Sequence, residues 1–359
     1  MTSPNSAFAR QRWIVPALTV LLLVVAAACS LVGSVPISLG EMAQLVAQKM
    51  GFASAPNGAH VGTVVNNHAE VLFAIRFPRV LLAVAVGGGL GLSGAAMQGM
   101  FRNPLVDPGL LGISSGAALG AVASLFFGVK LMRVLPVTLL PYVLPLAAFV
   151  GALVAMGAVM RIARVHGRMV VATLLLAGIA VNAFASALTG LFISTANDTQ
   201  LRSITFWILG SLAGATPRSA GATALVIGVP LLFLLRFGRT LNTLLLGDVE
   251  AGHLGVDVER AKRVVIVLVA FVVGSAVAVS GVLGFVGLAV PHLLRLVVGP
   301  DHRRLLPGSA LLGASLLLAA DAAARTLIAP AELPLGAVTG ALGAPVFLAL
   351  LWRERGKIA

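Results

Sequence analysis

Residues 77–98 read FPRVLLAVAVGGGLGLSGAAMQ, a stretch in which Arg79 is the one charged side chain. As an α-helix rising about 1.5 Å per residue, the stretch is long enough to cross the hydrocarbon core of a bilayer. Glycine is concentrated between positions 87 and 94, and small residues let helix backbones approach closely in lipid. The stretch therefore predicts a membrane-spanning helix that packs tightly against its neighbours.

Comparable apolar runs fill the rest of the chain. Hydrophobic residues make up 59% of the 359 positions and charged residues only 10%, whereas about a quarter of a soluble domain is charged. We therefore predict an all-α polytopic membrane protein with a single transmembrane domain over residues 1–359. The segment 203–216 is apolar but short, and we expect a partial or re-entrant helix there, at the outer surface. The ten predicted spans are 13–35, 77–98, 109–128, 135–160, 169–192, 220–237, 263–281, 282–298, 305–325 and 335–352.

Basic residues set the predicted orientation. The formal net charge is +13, and the basic residues cluster between apolar runs, which is typical of positive-inside loops rather than of nucleic-acid binding. Most Lys and Arg residues lie inside if both termini are cytoplasmic, and residues 1–12 then form a cytoplasmic tail. The apolar run that contains Cys29 also resembles a signal peptide, but it is long enough to be an uncleaved first span.

The standard motifs for nucleotide binding and for zinc-dependent hydrolysis are absent from the sequence. It contains no G-x-x-x-x-G-K-[ST] loop and no H-E-x-x-H. The six histidines are scattered, and a single cysteine provides neither a disulfide nor a cysteine-based metal site. We therefore predict that the chain has no catalytic residues, no metal ligands and no cofactor of its own.

The largest inner loop, residues 238–262, differs from the other connections. It mixes Asp248, Glu250, Asp257 and Glu259 with basic residues, and its pattern predicts two short helices broken by Gly252 and Gly255. A partly helical loop of mixed charge favours a docking surface for a soluble partner over a solvated connector.

Three arginines lie on the predicted outer side. Arg76 and Arg79 flank Phe77-Pro78, and Arg325 follows Asp321 by one helical turn. They can contact lipid headgroups or form a local ion pair such as Asp321–Arg325. They can also receive acidic groups of an external partner, because the guanidinium binds carboxylates in a bidentate manner.

Polar groups at membrane depth are few, and we single out Gln98, Asn182, Thr189 and Asp321. Such residues are candidates for a substrate pathway, with hydrogen bonding between helices as the alternative. An ion-coupled secondary carrier needs intramembrane carboxylates or histidines, and only Asp321 qualifies weakly. An intramembrane enzyme needs a catalytic dyad, which is not recognisable.

Several blocks resemble the iron-chelate and cobalamin permeases (FecCD-like) of type II ATP-binding-cassette importers. The resemblance covers nearly all of the chain after residue 70. Its blocks are RFPR (76–79), GGGLGLSGAAMQGMFRNPLVDPGLLGISSGAALGA (87–121), FWILGSLAGA (206–215), LLLGDVEAGHLGVD (244–257), SGVLGFVGLAVPHLLRLVVGPDHRRLLPGSALLGAS (280–315) and PAELPLGAVTGALGAPVFLALL (330–351).

The resemblance implies a permease subunit with ten transmembrane helices that works as a homodimer in a bacterial inner membrane. Two separate ATPase subunits, which use ATP and Mg, would bind the loop 238–262. A periplasmic binding protein would dock on Arg76, Arg79 and Arg325. Residues of the loop that would couple the ATPase to transport are Leu246, Gly247, Asp248, Glu250, Ala251, Gly252, His253, Leu254 and Gly255.

The segment NDTQLRSITFWILGSLAGA (197–215) is more similar to haem permeases than to the others. It places Arg202 near the predicted outer mouth of the pathway, where a cation can meet a haem propionate or a lipid headgroup. Haem is therefore the expected substrate, and a ferric siderophore or cobalamin is the alternative.

Overall fold

A computed structural model describes residues 13–33, 35, 37–52, 67–165 and 168–355. The predicted cytoplasmic tail, residues 1–12, lies outside the described residues. The helices are α1 (Ile14–Leu31), α2 (Leu39–Lys49), α3 (Phe77–Phe101), α4 (Ile113–Phe126), α5 (Gly128–Val134), α6 (Leu140–Ile162), α7 (Val171–Thr195), α8 (Asp198–Leu209), α9 (Pro217–Leu235), α10 (Gly238–Leu244), α11 (Asp248–His253), α12 (Val258–Ser280), α13 (Val286–Val298), α14 (His302–Thr326) and α15 (Leu335–Arg355). A π-helical turn (Val71–Arg76) precedes α3, a 3₁₀ turn (Pro108–Leu111) precedes α4, and β1 (Arg164–Val165) pairs with β2 (Arg168–Met169).

Ten apolar helices coincide with the ten predicted spans. Within the described residues, seven of them are long and apolar enough to cross a membrane: α1, α3 with its preceding turn, α6, α7, α9, α12 and α14. Three shorter apolar helices, at 113–126, 286–298 and 335–349, occupy the remaining predicted positions. The all-α polytopic fold is thereby confirmed.

Two features at the helix ends differ from the prediction or were missed by it. Residues 203–209 of the apolar segment 203–216 belong to α8, which already begins at Asp198 because Asn197 and Gln200 form a capping box, whereas residues 210–216 are not helical. A second capping box, Ser38 with Glu41, starts α2, a helix that hydropathy did not predict. A search for apolar runs does not detect polar capping residues. The start of α8 and the whole of α2 were therefore not predicted.

The junction between α12 and α13 also corrects the prediction. The spans 263–281 and 282–298 were expected to abut, but α12 ends at Ser280 and α13 begins only at Val286. Gly281 and Phe285 both have positive φ, 71° and 67°, which breaks the helix on either side of residues 282–284. At about 1.5 Å per residue, α13 measures roughly 20 Å and is shorter than the hydrocarbon core.

Helix α3 forms the centre of the bundle and packs against α9, α12, α13 and α14. Where it crosses α14, Gly87 faces Gly313, and a Cβ on either would overlap the backbone carbonyl of the other. Where it crosses α13, a Cβ on Gly94 would overlap the backbone of Gly287. The predicted role of the glycine-rich stretch in close helix packing is confirmed.

The outer helices of the bundle leave broad apolar faces exposed. Fewer than a third of the residues in the apolar stretches of α1, α6, α7 and α9 are buried, whereas most of those in α3, α12 and α14 are buried. On α7, for example, the exposed side chains include Leu176, Phe184 and Leu191. Such surface is stable only against lipid or against another apolar protein face, which accounts for the composition of the chain.

The close crossing of α3 and α13 generates a stability prediction. Substitution Gly94→Ala places a methyl group against the backbone of Gly287, so the two helices must separate. We expect the free energy of unfolding to fall by about 1–3 kcal/mol, the usual cost of overpacking, measured by thermal or denaturant unfolding of the purified chain in detergent.

Gly157→Ala is the matched control, because a Cβ at this exposed position of α6 meets no atom within 4 Å. It should be neutral or slightly stabilising, since alanine favours the helix. Equal stability of Gly94→Ala and Gly157→Ala would contradict the proposed crossing.

Candidate docking and coupling surfaces

Arg76 is buried against the carboxyl-terminal end of α1, with only 3% of its surface exposed. Its Nη1 donates to the carbonyl oxygens of Ser30 (2.8 Å) and Leu31 (2.9 Å), and its Nη2 donates to Val35 O. The last carbonyl groups of a helix have no partner within the helix. Arg76 therefore satisfies the end of α1 and its negative dipole.

Arg79, on the first turn of α3, is 7% exposed and binds two carboxylates. Its Nε lies 2.9 Å and 3.0 Å from the two oxygens of Asp321. Its Nη1 and Nη2 each donate to one oxygen of Glu332 at 2.9 Å. This bidentate geometry connects α3, α14 and the connection from α14 to α15.

Arg325 completes the cluster. Its Nη2 donates to Cys29 O at 3.0 Å and its Nη1 to Val32 O at 3.3 Å. Its Nε lies 3.3 Å from Asp321 Oδ2, so the local Asp321–Arg325 ion pair is present. The three arginines that the sequence singled out are thus brought together around the end of α1.

The accessible part of this cluster is Glu332. Its side chain is 39% exposed, against 4% for Asp321. Hydrogen bonds from Arg79 lower the pKa of the Glu332 carboxyl. Because Arg76 and Arg79 are buried and have partners within the chain, an external carboxylate reaches Arg79 only by competing with Glu332. Docking of a partner on the three arginines stays a prediction under this constraint.

At the opposite end of the bundle, the loop 238–262 folds into α10 and α11. The break between these helices is at Gly247, which has a φ of 125°. The expected break at Gly252 is wrong, because Gly252 lies inside α11. Gly255, with a φ of 86°, does separate α11 from α12, as expected.

Buried polar contacts hold this loop on the bundle. Lys262, at the start of α12, is 1% exposed and forms an ion pair with Asp248 of α11. Asn242 of α10 donates to Asp301 Oδ1 at 2.6 Å and accepts from the backbone N–H of His302 at 2.8 Å. The ion pair therefore holds α11 against α12, and the Asn242 contacts hold α10 against the start of α14.

The loop presents an apolar surface outward. Leu246 and Leu254 are 64% and 65% exposed, and Val249 between them is 66% exposed. Among the other predicted coupling residues, Glu250, Gly252, His253 and Gly255 are exposed, whereas Gly247 and Ala251 are buried. A rigid, exposed apolar patch next to acidic side chains is suited to a protein partner.

Gln98 and Asn182, two candidates for a substrate pathway, bond to other parts of the chain. Gln98 Nε2 donates to Leu288 O at 3.1 Å, and its Oε1 accepts from Arg295 Nη2 at 2.9 Å. Asn182 of α7 accepts from Ser115 and donates to the carbonyls of Gly109 and Leu110. These contacts are the hydrogen bonds between segments that the sequence left open as the alternative.

The other two candidates differ from each other. Thr189 Oγ1 donates to Ala185 O at 2.8 Å, a bond within α7. Arg202 projects from α8 with an exposed side chain, and in the described part of the chain no carboxylate forms an ion pair with it. The helix itself is anchored by Gln200, whose Nε2 donates to Phe126 O at 2.8 Å. Arg202 is therefore available to an anionic ligand.

Two pairings that the sequence did not predict stabilise the docking and coupling surfaces. Glu332 lies 253 positions after Arg79, and no local pattern signals their pairing. The Asp248–Lys262 ion pair spans 14 positions across a loop, where spacing alone gives no signal. Within the described residues, no group of His, Cys, Asp or Glu could hold a metal ion.

The chain is similar to known proteins along most of its length. The profile of the FecCD transport family matches residues 19–353. The hemin transport system permease protein HmuU of Yersinia pestis is 50% identical over 287 residues, which cover 78% of this chain and 83% of that protein. The cobalamin import system permease protein BtuC of Halobacterium salinarum is 44% identical over 285 residues, 79% of this chain and 74% of that protein.

A solved structure is similar along almost the whole chain. It is an inward-facing conformation of an ABC transporter assigned to the metal-chelate type, and it superposes with a TM-score of 0.80 at 32% sequence identity. The match covers 95% of this chain and 99% of the solved one.

The carboxylates around Arg79 generate a prediction that separates their roles. Asp321→Asn leaves a buried arginine with one of its two acids and should lower the free energy of unfolding by roughly 3–5 kcal/mol. Glu332→Gln removes a partly exposed partner and should cost about 1 kcal/mol or less near neutral pH. Thermal unfolding in detergent measures both, with Glu70→Gln, an exposed acid, as the control.

The Glu332 effect should depend on pH with a definite sign. Its pKa is lowered in the folded chain, so its contribution is complete above the ordinary glutamate pKa of about 4.3. That contribution is lost as the pH falls through the lowered value. A difference between wild type and Glu332→Gln that persists in strong acid would contradict the ion pair.

Proposed function

The chain belongs to the FecCD transport family, and we propose that it is the permease subunit of an ABC importer that carries haem across the inner membrane of a bacterium. In this proposal the chain supplies the pathway and the gates. It is not an enzyme itself, because ATP and Mg are used by two separate ATPase subunits.

The observation that carries the choice of haem is the degree of similarity. The chain is 50% identical to a hemin permease and 44% identical to a cobalamin permease over nearly equal lengths. The choice of haem over cobalamin rests on this difference in overall identity. Cobalamin is the second candidate because its permeases also match most of the chain.

Arg202 supports an anionic substrate. It is exposed on α8, which is held rigidly by its capping box and by Gln200. Haem carries two propionate groups, which a guanidinium binds by charge-assisted hydrogen bonds. Haem also carries its own iron, so transport requires no metal ligand from the chain.

The permease would work as a homodimer. Helices α7 and α15 leave apolar side chains exposed, and a second copy would cover part of these faces while enclosing a pathway on the two-fold axis. Alternating access then opens this pathway to each side in turn. Asn182, Thr189 and Gln98 stay candidates for its lining.

A periplasmic binding protein would dock at the arginine cluster, and the ATPase subunits at the loop 238–262. Acidic residues of the binding protein would compete with Glu332 for Arg79, which makes docking sensitive to ionic strength. The apolar patch of Leu246, Val249 and Leu254 would insert into a groove of the ATPase, held in place by the Asp248–Lys262 ion pair.

The proposed substrate is tested by transport into proteoliposomes that contain the chain, its ATPase and its binding protein. Haem should accumulate in the lumen and stimulate ATP hydrolysis, whereas cobalamin and a ferric siderophore should do neither. Uptake of cobalamin or a siderophore in place of haem would refute the choice of substrate. Haem uptake without the ATPase would indicate a secondary carrier instead.

Variants of two exposed arginines refine the same assay. Arg202→Gln should slow uptake at low haem concentration by up to about fivefold, as expected for loss of one exposed ion pair. Arg218→Gln is the matched control, since Arg218 is also exposed but stacks on Tyr142 at 5.8 Å. Equal rates for both variants would remove Arg202 from the pathway.

The coupling patch generates a separate prediction. Leu246→Asp combined with Leu254→Asp should abolish copurification of the ATPase, because two carboxylates would be desolvated in the interface. The isolated permease should keep its thermal stability, since both side chains are exposed. Val137→Asp, at another exposed apolar position (80%), is the control. Normal ATPase binding by the double variant would exclude the patch from the interface.

A further inference from the structure

A cavity of about 250 Å³ lies where the carboxyl-terminal ends of α3 and α13 meet the start of α14. It is at the same end of the bundle as the loop 238–262, whose Leu245 contributes to its wall. No Asp or Glu is among the described residues that line it. The polar side chains that line it are Gln98, Arg102, Asn103, His292, Arg295 and His302.

Arg295 is the unusual member of this cavity. It is partly buried, and its guanidinium has one hydrogen bond to the described chain, from Nη2 to Gln98 Oε1. No described carboxylate forms an ion pair with it, whereas Arg79 has two acidic partners and Lys262 has one. Asp301 is the acidic residue nearest in sequence to the residues that line the cavity. Its carboxylate accepts hydrogen bonds from the Asn242 side chain and from the backbone N–H of Arg303.

A desolvated cation without a counter-ion is costly. The carboxyl-terminal end of α13 offsets part of this cost through its dipole. The other N–H groups of the Arg295 guanidinium still have no acceptor among the described contacts. Arg102, at the end of α3, adds a second and exposed cation. The cavity therefore has the charge of an anion site.

An apolar groove of about 500 Å³ adjoins the cavity. Leu296 borders both, so the groove leads from the basic cavity along the outside of the bundle. The short helix α13 forms one wall, and α1 forms the other with Ile14, Leu18 and Leu21. All of the lining residues are apolar.

The basic cavity and the apolar groove together favour one kind of ligand. A soluble anion would use the cations and leave the groove empty, and a zwitterionic lipid would bring a positive charge toward two arginines. A phospholipid of net negative charge satisfies both parts at once, because basic pockets at the cytoplasmic side of membrane helices match anionic headgroups.

We propose that the cavity and groove bind an anionic phospholipid, with its phosphate between Arg295 and Arg102 and an acyl chain along α1 and α13. The lipid joins α1 to α13 and α14 at the end of the bundle that carries the loop 238–262. This inference does not depend on which substrate is transported.

Native mass spectrometry of the chain purified with its ATPase partner tests the proposal. The complex is delipidated in detergent and titrated with phosphatidylglycerol or with phosphatidylethanolamine of the same acyl chains. Phosphatidylglycerol should bind about tenfold more tightly, the scale of one charge-assisted hydrogen bond. Equal affinity for the two lipids would overturn the proposal, and so would displacement of the lipid by inorganic phosphate at similar concentration, which indicates a site for a free anion.

Variants locate the site. Arg295→Gln should reduce the preference for phosphatidylglycerol about tenfold, and Arg295→Lys should retain most of it, which separates loss of charge from loss of fold. Arg236→Gln, at an exposed arginine outside the cavity, should change nothing. An unchanged lipid preference in Arg295→Gln would overturn the assignment. Dissociation of the ATPase from that variant, with no lipid bound to wild type, would assign the cavity to the protein interface instead.

Discussion

The close approach of α3 to α14 and α13 determines the rest of the structure. In lipid, apolar helices gain little from avoiding solvent, so their association depends on packing and on polar contacts. Glycine at 87, 313, 94 and 287 lets backbone meet backbone. Because α3 and α14 each run through the whole bundle, this crossing also positions the groups at both ends. One end carries Arg79 with Asp321, and the other carries Gln98 near the start of α14.

Buried charges show how each end is stabilised. Arg76 and Arg325 satisfy the carbonyl groups of α1, Arg79 binds two carboxylates, and Lys262 binds Asp248. Most of these contacts join elements that are distant in sequence, and the Asp248–Lys262 ion pair joins the successive helices α11 and α12, so the charges specify geometry in addition to stability. Arg295 differs from these four residues, because its guanidinium has a single hydrogen bond within the described chain, to Gln98 Oε1. Its one hydrogen bond leaves donors for a ligand from the membrane.

The positions of the apolar helices were predictable because hydropathy is a local property. The glycine-rich stretch 77–98 likewise indicated its own packing role. Helix ends were less predictable, since α8 depends on the Asn197–Gln200 capping box, and the break before α13 depends on the positive φ of Phe285. The partner of Arg79 was not predictable at all, because Glu332 meets it only after α14 has folded against α3. The roles of the docking, coupling and pathway residues stay predictions.

Electron cryomicroscopy of the assembled transporter with haem present tests whether two copies of the chain enclose the haem pathway. We expect two copies related by a two-fold axis, an ATPase subunit on each loop 238–262, and haem on the pathway between the copies. We also expect the α3–α14 crossing to be the same in both copies. A single copy with its ATPase, or haem bound away from the two-fold axis, would contradict this arrangement.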